Sequence, residues 1–545
     1  MAFRNSKYAL WMLLLGPRPN QKSSDLIEHL PSIREWDHPE GDASHNPLVV
    51  FLLTPTFTSL LRHDATFLTD ALQRLFPDTE TSATTVQRCT VLAAVVDRLP
   101  SSVTRSDISE TRLDGIRAKI DGGIEGLGFM LAPRAVDAAP GLFQGLDFKT
   151  ELHDADLEHR GCLSFMIDSQ DRRSTVEVPL AETIFQNGSS STMVASEWAR
   201  SARSEKWLQQ GKAHTSSQQV NLLHSSLSTL GRAPQAALDQ SMGIPLMPLT
   251  KARQITEGFG NIIRKLQGGD AKSDTFPASQ ELERSLGSHF KAIGLEQQAV
   301  TIWAILYPEG NINPVDPDHL LFTDRGMSEG VPNPVDPQSR MLSHRRFWLE
   351  GQLGCLCKGA SLRRVLGGGG GWGHNQGLIS LDHETRYGTT DSAMSTGLTE
   401  DDNVSFREDF NIGQLARPGD WVQFFLPSYR TLWSSRPISH EEGTAPAKTH
   451  DVDQESDSSL LFDVIPSSDD PSPLDHVKDT PRGKKCYVIE NHFGASSSQG
   501  LSYTTEWRDP TETRKQLSQK PLTTRVDVPY SKILIRATSR KSDAQ

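Results

Sequence analysis

The run Gly367-Gly-Gly-Gly-Gly371 is followed by Trp372, Gly373 and His374 and preceded by Arg363 and Arg364. It is the string whose residue types most suggest chemistry. Consecutive glycines lose much backbone entropy on ordering, so an ordered run implies that side chains there would obstruct something. Backbone N–H groups of such a loop can cradle an anion, with the arginines or His374 adding charge for a phosphate or carboxylate. On this reading the ligand-binding set is Gly367, Gly368, Gly369, Gly370, Gly371, Trp372, Gly373, His374, Arg363 and Arg364. The rival reading is a structural or protein-contact loop with Trp372 as its buried anchor.

Known phosphate and nucleophile motifs are incomplete here. Gly368, Gly370 and Gly373 fit G-x-G-x-x-G, but polyglycine does so trivially, and a strand rather than the required helix is expected to follow. No Lys-Ser or Lys-Thr closes a P-loop. The remaining protein-kinase signatures and the G-x-S-x-G elbow of hydrolases are missing as well. No catalytic residue is assigned, and the sequence specifies no cofactor. His344, Arg345, Arg346, Trp348 and Glu350 lie upstream of the loop, and His492 stands beside Asn491 and Phe493, all free to converge on it.

Five cysteines occur, at Cys89, Cys162, Cys355, Cys357 and Cys486. An odd number at wide spacing is not a disulfide framework. Cys355 and Cys357 form a C-x-C without the second pair that tetrahedral zinc needs, so no metal site is assigned. Asn187-Gly-Ser and Asn403-Val-Ser match the glycosylation acceptor pattern, which is common by chance.

The formal charge of −12 comes without any basic tract. Nonspecific duplex DNA binding draws its affinity from a concentrated basic face, so duplex DNA is not expected as a partner. A small basic RNA site stays open, and a protein partner is the leading expectation. No apolar run is long enough to span a membrane, which reads as a soluble protein.

The string Lys358-Gly-Ala-Ser-Leu-Arg-Arg-Val-Leu366, the glycines with Trp372, and Gln376-Gly-Leu-Ile-Ser-Leu-Asp382 resemble a motif of large uncharacterised fungal proteins. Val178-Pro-Leu-Ala-Glu-Thr-Ile-Phe-Gln-Asn-Gly188 and Gly260-Asn-Ile-Ile-Arg-Lys-Leu266 are similar to further blocks of that group. The resemblance implies a mitochondrial setting and carries no activity or functional residues.

The elements that must position these residues read as follows. Residues 1–24 are basic and acid-free around an apolar run, Tyr8 to Leu15. That pattern fits a mitochondrial leader, with a cytosolic or nuclear protein using the run as a strand, or a secretory signal, as alternatives. Residues 25–198 read as an α/β region: buried runs at 47–57 and 89–96 flank a helix with Asp64 as its cap, the order of a βαβ unit. Residues 162–167 and 174–180 read as antiparallel strands. A polar connection at 199–245 leads to an α/β continuation at 246–308, with helices at 250–266 and 279–291, the latter capped by Ser279, and a strand at 298–307.

A Pro/Asp-rich loop, 309–345, carries Asn-Pro-Val-Asp-Pro twice, at 313–317 and 333–337. The glycine-loop region, 346–434, reads as β-rich. An acidic, Ser-rich stretch, 435–482, has the composition of a disordered linker, and strands return at 483–545. The expected class is thus α/β, with a buried-strand amino-terminal region and a β-rich carboxy-terminal region interrupted by the linker. The expected function is a non-enzymatic scaffold or accessory factor acting through protein or RNA contacts. The alternative is an enzyme that binds an anionic small molecule or nucleotide at Gly367–Gly373.

Overall fold

The computed structural model describes residues 9–15, 26–32, 47–61, 66–77, 87–100, 123, 125–133, 161–168, 172–200, 206–214, 217–223, 237–268, 274–293, 296, 299–309, 356, 359–368, 377–384, 415–427, 458–466, 486–490, 492–507 and 522–538. Among these, strand outweighs helix by 55% to 17%. The fold is therefore mainly β, and the expected α/β class is overturned. Two compact units form, one from residues 1–240, 450–521 and 532–545, the other from 241–449 and 522–531.

The first unit is built on a seven-stranded sheet ordered Cys486–Glu490, Ala9–Leu15, Gly126–Pro133, Pro47–Leu53, Gln87–Val95, Met193–Arg200, Leu208–His214. The apolar run Pro47–Leu53 is buried at every position, as its unbroken hydrophobicity requires. It pairs parallel with Gln87–Val95, Val49 opposite Val91. The crossover consists of a 3₁₀ turn, Pro55–Leu61, and helix α1, Phe67–Leu75, which lays Phe67, Ala71, Leu72 and Leu75 on the core. This βαβ unit is the one parallel step; every other pair in the sheet is antiparallel. Thr66 occupies the cap of α1, and its hydroxyl donates to Asp70 rather than to backbone. Asp64 lies outside the described residues.

Two smaller sheets complete this unit. In one, Ser458–Val464 pairs parallel with His492–Ser497 and antiparallel with Lys532–Thr538. That strand falls inside the stretch expected to be a disordered linker. Its side chains Leu460, Leu461, Phe462 and Val464 are buried, and Phe462 stacks 4.9 Å from Phe165. Four residues of apolar sequence suffice for a central strand when neighbours on both sides supply the ladder. In the other sheet, Leu501–Trp507, Arg172–Pro179, Cys162–Asp168 and Ser217–Leu223 follow in order. The polar connection expected at 199–245 carries three strands, Leu208–His214, Ser217–Leu223 and Ala237–Gly243.

The second unit is a six-stranded barrel. Trp421–Pro427, Arg253–Phe259, Ile262–Gln267, Ile379–Leu381, Ser361–Gly368 and Trp303–Tyr307 pair in turn, and the last closes back on the first. The expected helix at 250–266 is instead the hairpin Arg253–Phe259/Ile262–Gln267. Gly260 supplies its turn at φ +59°, and a Cβ on Gly258 would fall 2.3 Å from the Ala416 carbonyl oxygen. The expected helix at 279–291 is present as α2, Ala278–Ile293, with Ala278 and Leu282 in the barrel core beside Ile263, Leu266 and Phe424. Ser279 lies within it, its N–H donating to the Gly377 carbonyl. Both Asn-Pro-Val-Asp-Pro copies lie outside the described residues. No described helix is long and apolar enough to cross a membrane, which does not bear on β-barrel spans.

Candidate functional site

The strand Ser361–Gly368 and the strand Ile379–Leu381 pair antiparallel, so the glycine run joins two neighbouring barrel strands. A register shift between Val365 and Gly367 makes Leu366 a bulge, and it is 58% exposed. Gly367 faces open space, where nothing requires glycine. A Cβ on Gly368 would stand 3.2 Å from both Ile379 and the Leu378 carbonyl oxygen, so here the missing side chain does permit close approach. Gly369, Gly370, Gly371, Trp372, Gly373 and His374 lie outside the described residues, as do His344, Arg345, Arg346, Trp348, Glu350, Cys355, Cys357 and Asn403.

The same strand carries the two predicted arginines, on opposite faces. Arg363 stands opposite Ala304, a core residue, and is only 6% exposed; Arg364 stands opposite Trp303 and is exposed. With Leu362 they line a small cleft completed by Asp382, Glu384, Arg525 and Asp527. Arg363 donates through Nη1 to the carbonyls of His383 and Glu384, at 3.3 and 3.2 Å. Its Nε finds no acceptor among the described residues. Burial pushes this guanidinium down to about 10, against the pull of Asp382 in the other direction. It stays charged at neutral pH.

Arg525 Nη1 lies 2.8 Å from Glu384 Oε2 and 3.6 Å from Asp382 Oδ2. Trp303 Nε1 donates to Asp527 Oδ1. Thr524 holds its strand to the arginine strand, accepting from Leu362 N–H and donating to the Leu362 carbonyl. Three arginines and three carboxylates therefore border one cleft, which has no space that a water could fill. The sequence pointed to the arginines. Nothing local in it pointed to Asp382, Glu384, Arg525 and Asp527, whose common location is a product of the fold.

In the first unit, polar side chains gather past the carboxyl ends of the parallel strands, the place where ligand crevices form in open α/β sheets. Thr54 and Thr56 donate to Glu125 Oε2 at 2.6 and 2.9 Å, and Arg98 is ion-paired to the same carboxylate. Ser498 donates through N–H and hydroxyl to Asp97 Oδ2, both at 2.8 Å. Both carboxylates thus help to hold strand ends together.

His492 stands on the strand His492–Ser497 of the first unit. Its Nδ1 lies 2.5 Å from Ser459 Oγ, across the parallel pair. A serine and a histidine in contact are two parts of a nucleophile set, which further needs oxyanion donors and an exposed attack face. Ser459 is only 7% exposed and sits within the strand ladder. Among the described residues no group of three or more His, Cys, Asp or Glu could hold a metal.

A surface feature that the sequence did not single out as a site lies at residues 182–192. The single helical turn Ile184–Asn187 displays Phe185 at 96% exposure and Ile184 at 54%. The turn is tightly tied. Thr183 accepts from the N–H of Gln186 and Asn187, and its hydroxyl donates to the Ser189 carbonyl. Asn187 Nδ2 donates to Thr192 Oγ1 at 2.8 Å, and Gly188 closes the turn at φ +82°. The nitrogen that a glycan would need thus makes a hydrogen bond within the turn, on a residue that is itself exposed. Glu182, Gln186, Ser189 and Ser190, close by in sequence, are exposed polar residues. Compared with known protein families, characterised proteins and solved structures, the chain matches none, so the reading of these sites rests on their own geometry.

Proposed function

We propose that the protein is a non-catalytic scaffold or accessory factor that works by binding another protein, in a mitochondrial setting. The observation that carries this reading is Phe185. A large aromatic left almost wholly in water is a standing cost in apolar exposure, and here it is presented on a turn whose backbone is already fixed. Interfaces concentrate their energy in a few aromatic anchors ringed by polar residues, and a pre-ordered anchor loses little entropy on binding. Among the described residues 182–192 there is no arginine or lysine, and Glu182 is acidic, which supports a protein pocket over RNA.

Proximity labelling in cells with the tagged chain tests this, run in parallel on wild type and Phe185→Ser. Loss of a defined neighbour set with the variant, at equal expression, is the expected result. An unchanged neighbour set would remove Phe185 from the proposal, and a neighbour set outside mitochondria would remove the location.

A further inference from the structure

Glu384 is held twice: Arg363 grips its carbonyl and Arg525 its carboxylate. The two ends of the second contact differ in exposure. The Arg525 side chain is 16% exposed, fixed between Glu384 and Asp382, whereas the Glu384 side chain is 60% exposed. A nearly enclosed guanidinium facing a carboxylate that stands largely in water has the asymmetry of a binding site and its occupant. The donor is preorganised, and the acceptor is free to leave for solvent. A second observation points the same way. Arg363, 6% exposed, lines the same cleft with an Nε that lacks an acceptor among the described residues. A buried donor of this kind is rarely left without a partner.

We propose that Arg525, supported by Arg363 and Arg364, forms an anion site for a carboxylate group, which Glu384 occupies as an internal ligand in the free protein. Shape and charge select the class. The cleft has no spare room, so a ligand must take the place that the Glu384 carboxylate vacates. The planar guanidinium matches a carboxylate through two parallel hydrogen bonds. The cleft has no room for the extra oxygens of a tetrahedral phosphate, whereas one flat carboxylate of an organic acid fits the place Glu384 leaves and the rest of the molecule stays in solvent. The ligand is thus a small organic acid. This site lies apart in sequence from the Phe185 turn and does not depend on the partner contact proposed above.

The test uses the full chain and titrates succinate and inorganic phosphate by calorimetry against wild type, Glu384→Gln and Arg525→Lys. Glu384→Gln removes the internal competitor at an exposed position, so the fold is kept. It is expected to bind succinate about fivefold tighter than wild type, the factor matching an exposed ion pair. Arg525→Lys is expected to lose that binding, and phosphate to bind none of the three. Equal succinate affinity in wild type and Glu384→Gln, or no saturable binding by Glu384→Gln, overturns the proposal. Tighter binding of phosphate than of succinate overturns the carboxylate assignment.

Discussion

Trp303 donates its indole N–H to Asp527 at 2.7 Å, joining a barrel strand to a segment more than two hundred residues further along the chain. Partial burial raises the Asp527 carboxyl above its ordinary range, and the indole hydrogen bond is the largest influence pulling it back. Trp303→Phe keeps the ring and deletes the donor, with an expected cost of about 1–3 kcal/mol. A carboxyl whose native pKa is raised holds its proton longer in the folded state, so stability falls as pH rises from the ordinary carboxylate range through the raised value. Trp303→Phe deepens that fall, and adding Asp527→Asn removes it. Urea denaturation at pH 4 and pH 7 measures both effects.

Asp463 offers a sharper pH signature. It is buried beside Ser496 and Lys532 on neighbouring strands, and burial lifts its carboxyl to about 6 despite the lysine. The native state keeps a proton that the unfolded chain releases near pH 4, so stability declines between about pH 4 and 6 and is level above. The loss is on the order of 3 kcal/mol. Asp463→Asn flattens this window. A thermal melt series across it checks the prediction, and a wild-type profile that rises with pH would contradict it.

The glycines separate into positions that need glycine and positions that do not. A Cβ on Gly494 would lie 1.7 Å from the Leu461 carbonyl oxygen, in the ladder between paired strands. Gly494→Ala is expected to cost more than about 3 kcal/mol or to prevent folding. Gly367→Ala, facing open space, is expected to change stability by less than about 0.5 kcal/mol. Circular dichroism melts of the two variants give the comparison.

The Ser459–His492 contact has a direct chemical test. Under the scaffold reading, Ser459 is a structural hydroxyl, and a fluorophosphonate probe leaves it unlabelled in the folded protein. Labelling that disappears in Ser459→Ala would show an activated nucleophile and defeat the scaffold reading.

Legibility in the sequence followed the regularity of each element. Helix α2 was visible because its apolar positions keep one helical period without interruption. The hairpin at 253–267 was misread because Ile255, Phe259, Ile262, Ile263 and Leu266 also fall at helical spacing. In the structure Ile255, Ile263 and Leu266 are buried and Phe259 is 79% exposed, an alternation broken by bulges that imitates a helix. The cue lay in Gly258 and Gly260, two glycines around a turn. Ser458–Val464 was hidden because its short apolar core is diluted by acidic sequence on both sides. At the charged cleft only Arg363 and Arg364 could be picked out. Their partners come from two other stretches of chain, and spacing carries no record of such a meeting. Phe185 carried no signal either, since a phenylalanine in a short apolar patch is usually interior.

Ala9–Leu15 takes its place between Gly126–Pro133 and Cys486–Glu490. During synthesis, one of its two edges stays open until residues 486–490 have emerged. The strand Ser458–Val464 likewise waits for Lys532–Thr538. Such long-range pairing slows folding and keeps strand edges available to wrong partners meanwhile. The nascent chain is thus expected to hold unpaired strand edges until its late partners arrive, which is when it is most open to wrong pairing.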